Sequence, residues 1–75
     1  MTTTITITVG QDEAGYFALP GFDGEDRTAE ITRFGAEVIF KVSAESLKEA
    51  VKRAEAKARE RDIARVDNLS NILCQ

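Results

Sequence analysis

Phe34-Gly35-Ala36-Glu37-Val38-Ile39-Phe40-Lys41-Val42, continued by Ser43-Ala44-Glu45-Ser46-Leu47, contains the change of period on which the fold turns. Every even position from Phe34 to Val42 is apolar, while Glu37 and Lys41 occupy odd ones. A period of two predicts a half-buried strand with Phe34, Ala36, Val38, Phe40 and Val42 on its core face. Ser43 then offers a hydroxyl to the free amides of a first helical turn, and Glu45 places negative charge at the positive helix end. Ser46 is the rival cap. From Leu47 the apolar residues fall at Leu47, Ala50, Val51, Ala54 and Ala58, the series of an amphipathic helix. The stripe is narrow and mostly alanine, so the helix axis can approach a sheet closely. Its other faces are charged, and Glu49 with Arg53 and Glu55 with Arg59 form acidic-before-basic pairs worth about 0.2–0.5 kcal/mol each. Glu45 to Asp62 holds five acidic and six basic side chains. That mixture reads as a solvated, salt-bridged surface.

Working outward, Thr2 to Val9 alternates threonine with Ile5, Ile7 and Val9, a first strand with Thr4, Thr6 and Thr8 expected on its solvent face. Gly10 to Gly15 reads as a loop, and Tyr16-Phe17-Ala18-Leu19 as a second strand ended by Pro20-Gly21. Phe22-Asp23-Gly24-Glu25-Asp26 is an acidic turn. Thr28 to Thr32 alternates again, with Ala29 and Ile31 on one side. The phase breaks at Arg33-Phe34-Gly35, as in a tight turn or a bulge, and the chemistry favours one long bulged strand. After the helix, Ile63 to Val66 suits a short last strand. Asp67-Asn68 suits a turn, or the cap of one helical turn carrying Leu69, Ile72 and Leu73. The expectation is a single α+β domain over residues 1–75: an antiparallel sheet of three to four strands packed on one amphipathic helix, in the order β-β-β-α, with a short C-terminal segment.

Seventy-five residues bury only about 60% of the unfolded surface, which allows one sheet-and-helix pair but no deep pocket. No apolar run approaches the ~20 residues of a membrane span, and Met1 to Ile5 lacks the layout of a signal peptide, so a cytoplasmic protein is expected. There is no histidine, and Cys74 is the only cysteine. A metal site would have to rest on carboxylates, and Asp23-Gly24-Glu25-Asp26 lacks the alternating ligands and distal glutamate of a calcium loop. Phosphate-cradling, nucleophile-elbow and zincin motifs are missing as well. Neither a cofactor nor a metal nor an enzymatic activity is expected, and binding is left.

Charge is unevenly placed. Residues 1–42 hold seven acidic side chains against three basic, a net of −4, whereas residues 43–75 sum to +1. An acidic surface is repelled by nucleic acid, so direct DNA or RNA binding is disfavoured and a protein with a basic groove is the matching partner. The expected contacts are Asp23, Glu25, Asp26 and Glu30, aided by Asp12 and Glu13; the plainer reading is that these loops keep a small protein soluble. A second candidate surface is apolar. If Tyr16 and Ala18 face the helix, Phe17 and Leu19 face away with Ile39, on a side that a single helix leaves bare, and a homodimer through this face or a free sheet edge follows. The opposite parity leaves only isolated exposed side chains.

Tyr16-Phe17-Ala18-Leu19-Pro20-Gly21 resembles the tyrosine-to-Leu-Pro-Gly strand of HicB-type antitoxins, small domains that neutralise a toxin. In that family a threonine soon afterwards opens a helix rich in Glu-Ala, whereas Thr28 here opens a strand pattern. In layout, the short acidic chain with a threonine-rich first strand, a hairpin and an alanine-rich helix is similar to small phage-encoded anti-CRISPR inhibitors. That resemblance implies a stoichiometric inhibitor docking on a nucleic-acid-binding CRISPR effector complex. The antitoxin likeness implies a regulatory partner instead, and a self-assembling subunit is the third reading.

Overall fold

In the computed structural model, which describes residues 4–72, the alternation of β-branched residues puts Ile5–Asp12 (β1) at the centre of a three-stranded sheet. Gly15–Gly21 (β2) flanks it on one side and Glu37–Ala44 (β3) on the other, both antiparallel to β1. Thr28–Arg33 (α1) crosses from β2 to β3, so these two parallel strands and the helix form a crossover split by β1. Leu47–Glu60 (α2) and the single turn Leu69–Ile72 (α3) complete an α+β domain. Thr2, Thr3, Leu73 and Cys74 lie outside the described residues. Among the described residues, no helix is long and apolar enough to cross a membrane.

One face of the sheet meets α2 as the periodicity predicts. Ile7, Val9 and Ala18 are buried against Ala50, Val51, Ala54 and Ala58, and Phe40 and Ala44 close the same core. Ile63, Leu69 and Ile72 extend it beyond the helix. Ser46, not Ser43, caps α2: its Oγ accepts from the Glu49 N–H at 3.2 Å. Ser43 stays in β3, so the strand runs two residues past Val42 before the period changes.

Residues 28–33 are helical, which corrects the expected strand. Asp26 Oδ1 accepts from the Thr28 N–H at 2.9 Å and supplies the missing N-terminal cap, since Arg27 at the cap position has no capping side chain. At the other end Ala36 N–H donates to Ile31 O and Gly35 N–H to Thr32 O, with Gly35 at φ +81°. That is a Schellman stop, in which a left-handed glycine ends a helix and the flanking apolar residues, here Ile31 and Ala36, are buried together. Gly35 therefore ends a helix and makes no bulge. The bulge lies between Val38 and Phe40, where the β1–β3 register slips by one residue. Phe34 sits at the helix cap, 74% exposed, and not on a core face.

The crossover covers the sheet face opposite α2. A Cβ built on Gly10 would lie 2.7 Å from Ile31 Cγ2, and one on Gly21 would overlap the Glu25 carbonyl, 2.9 Å from its carbon. Thr8 is fully buried beneath this layer and Thr6 nearly so, which corrects their expected solvent exposure. Thr6 Oγ1 shares a 3.0 Å hydrogen bond with Ser43 Oγ, whereas Thr8 Oγ1 has no partner. The apolar face of α2 and the antiparallel sheet agree with the sequence, and of the two parities open for β2 the structure has the one with Tyr16 and Ala18 toward the helix. Tyr16 packs on the α2-side core, and Phe17 and Leu19 alternate away from it.

Candidate protein-binding surface

The acidic turn after β2 has a defined backbone geometry. Asp23 and Gly24 both take positive φ (56° and 84°), and Glu25 N–H donates to Phe22 O at 3.1 Å, the signature of a type I′ turn. Gly24 N–H also donates to Thr4 O at 3.2 Å, which fixes the turn to the start of β1. Asp-Gly is the pairing this geometry demands, because both central residues need left-handed φ. The result is a small exposed turn that carries Phe22, 43% exposed, next to Asp23 and, across the turn, Glu25.

The six carboxylates expected to act together are not one patch. Asp12 and Glu13 lie at the β1–β2 hairpin turn, and Asp23 to Asp26 at the opposite end of β1; eight strand residues separate these ends by about 25 Å. Asp12 Oδ1 accepts from Ala14 N–H and Gly15 N–H at 2.9 and 3.1 Å, so it shapes its own turn. Glu30 pairs with Arg27, whose Nε also donates to Pro20 O at 3.0 Å. Asp26 accepts from Thr28 N–H and from Lys41 Nζ at 2.9 Å each, and these donors, the backbone one first, hold its carboxyl down at about 2. Asp12, Asp26 and Glu30 thus serve the fold. Among the described residues, Glu13, Asp23 and Glu25 have no ion pair or side-chain hydrogen bond of their own.

The apolar candidates also change standing. Phe17 and Leu19 are half-buried, since the crossover covers the face they share with Gly10 and Thr8. Ile39 sits in the bulge and packs against the α2-side core. The premise of a bare second face is therefore not met. Among the described residues, Phe22 and Phe34 are the exposed large apolar side chains, at opposite ends of the crossover. Phe34 sits where the periodicity predicts core, and Phe22 stood in the sequence only as part of an acidic turn. The signal for it was Phe22-Asp23-Gly24, an aromatic next to an obligatory I′ pair.

Among the described residues, no three His, Cys, Asp or Glu side chains come together in a way that would hold a metal ion. The concave places are shallow: one at the start of α2 lined by Ala44, Glu45, Ser46, Glu49 and Arg53, another between the end of α2 and residues 63–69. Comparison with family models, with curated proteins and with solved structures finds no match.

Proposed function

We propose that the chain is a non-catalytic protein-binding domain that inhibits a nucleic-acid-binding machine stoichiometrically, docking its Phe22-Asp23-Gly24-Glu25 projection on a basic groove. The observation that carries this reading is the pre-set turn, which presents an exposed aromatic on the same four residues as two carboxylates with no internal partner. Groups held in place before binding lose little entropy on binding, and an aromatic flanked by charge is the composition of an interface anchor. A groove built for phosphates supplies the cations that Asp23 and Glu25 lack. A CRISPR effector complex is the specific target implied by the layout.

A second reading, an antitoxin-like partner, gains from one feature. Thr28 opens a helix running Thr28-Ala29-Glu30, in place of the strand that set the chain apart from the HicB pattern. It predicts a toxin encoded beside this chain, whereas the inhibitor reading predicts a target elsewhere in the host.

The test is a pull-down from the native host with the tagged chain and with a D23N/E25K double variant, asparagine being chosen because it removes the charge and tolerates the left-handed φ of position 23. Asp26 is left intact because it caps α1. Recovery of one nucleic-acid-handling complex by the parent and not by the variant is expected. Equal recovery by both would remove the acidic projection from the account.

A further inference from the structure

The two sheet edges are finished differently. On β2, Asp67 N–H donates to Tyr16 O at 2.8 Å and Ala18 N–H donates to Asp67 O at 3.1 Å. Asn68 Nδ2 reaches Ala18 O at 3.3 Å, Arg27 Nε reaches Pro20 O, and proline has no N–H to leave open. Each outward carbonyl from Tyr16 to Pro20 and the Ala18 N–H are therefore paired, and the Pro20 donor is removed. Because Tyr16 and Ala18 point outward, residues 15, 17, 19 and 21 exchange bonds with β1, and β1 turns Ile5, Ile7 and Val9 toward Ala44, Val42 and Phe40. This alternation leaves the main chain of Lys41 and Ser43 pointing away from the sheet. The Ser43 carbonyl accepts from Arg53 Nη1 at 2.6 Å, and among the described residues no backbone partner from outside the sheet reaches Lys41 or Ser43.

We propose that this outer edge of β3 is a docking site for an acidic extended segment of a partner protein, which joins the sheet as a fourth strand. Charge selects the occupant. Arg53, Lys57 and Arg61 recur every four residues, one rail on the side of α2 that reaches β3. Arg53 touches the Ser43 carbonyl, and Arg61 lies over the Phe40 ring, 5.8 Å from its centroid. Lys41 stands on the opposite face of the same strand. Lys41 is paired with Asp26, so the three cations of α2 are the ones that repel a second copy of the same edge and attract carboxylates on the α2 side of an added strand. On docking, an N–H of the incoming strand replaces Arg53 at the Ser43 carbonyl, and the released guanidinium takes a carboxylate of the partner. This surface is distinct from the Phe22 projection, and neither depends on the other.

The test uses the whole chain, an eight-residue peptide alternating glutamate with valine, and the same peptide with lysine for glutamate, followed by amide NMR and hydrogen exchange. The glutamate peptide is expected to shift the Lys41 and Ser43 amides and slow their exchange, and the lysine peptide to leave them unchanged. Lys57→Glu, whose side chain is exposed and takes part in no described ion pair or hydrogen bond, should weaken binding roughly tenfold without unfolding the chain. Absence of protection at millimolar peptide would overturn the proposal and leave the cations as guards of the edge. Equal response to both peptides, or protection that rises with chain concentration without peptide, would overturn it too.

Discussion

Replacing Gly21 by alanine tests whether the crossover lies on the sheet as described. Gly21 is buried, and its backbone is outside the left-handed region, so alanine has no conformational penalty there. By itself the change would stabilise the chain by about 0.4–1 kcal/mol through the unfolded state. The new methyl group, however, would overlap the Glu25 carbonyl and come 3.5 Å from Asp26 Cα. Its neighbours are backbone, so no side chain can swing away. The 22–26 segment has to retreat by roughly 1 Å to restore ordinary separation. That retreat strains the Gly24 N–H to Thr4 O bond, worth about 0.5–1.5 kcal/mol, and disturbs the Asp26 cap on α1. With overpacking of about 1–3 kcal/mol, the net loss comes to roughly 2 kcal/mol, or about 8–16 °C in Tm for a domain of this size. Urea and thermal unfolding monitored by circular dichroism would measure it. A Tm equal to or above that of the parent would refute the placement of the crossover.

Five other substitutions probe separate parts of the fold. Asp62 ends α2 at C′ with φ +58°, in a Schellman stop where Ile63 N–H reaches Ala58 O at 2.9 Å, so Asp62→Gly should stabilise the chain by about 0.5–1 kcal/mol in urea unfolding. Thr8→Val removes a buried hydroxyl that has no partner while keeping its shape, and should leave stability unchanged or raise it by about 1 kcal/mol; a clear loss would mean the hydroxyl is bonded. Ser46→Ala should cost about 1 kcal/mol and Ser43→Ala less, since only Ser46 caps the helix. Asp26 has a folded value of about 2 against an ordinary 3.8, so its contribution is present above pH 4 and lost as pH falls through this window. Urea midpoints measured from pH 5 to 2 should therefore fall less steeply in Asp26→Asn than in the parent.

The sequence pattern was readable wherever one face of an element is buried and the other is not. Leu47 to Ala58 obeys its period because α2 covers the sheet from one side, and Ile5, Ile7 and Val9 point toward it for the same reason. Thr6 and Thr8 misled because threonine suits a strand on either face, and nothing local announces the layer above them. Residues 28–33 misled because six residues with one buried side chain, Ile31, contain too few apolar positions to separate period 2 from 3.6. The deciding signals lie outside the segment, in Asp26 before it and Gly35 after it. At the candidate surface, the acidic character was legible, but its division was not. Asp12, Asp26 and Glu30 are committed to turns, caps and ion pairs that depend on tertiary placement, leaving Asp23 and Glu25 beside Phe22.

The central claim, that the chain inhibits by occupying a basic nucleic-acid groove, is tested most directly by titrating it into the captured complex while measuring that complex's binding to its own nucleic acid. Loss of nucleic-acid binding with a sharp equivalence point is expected, and no effect from the D23N/E25K variant. Simultaneous binding of chain and nucleic acid, with neither weakening the other, would contradict it.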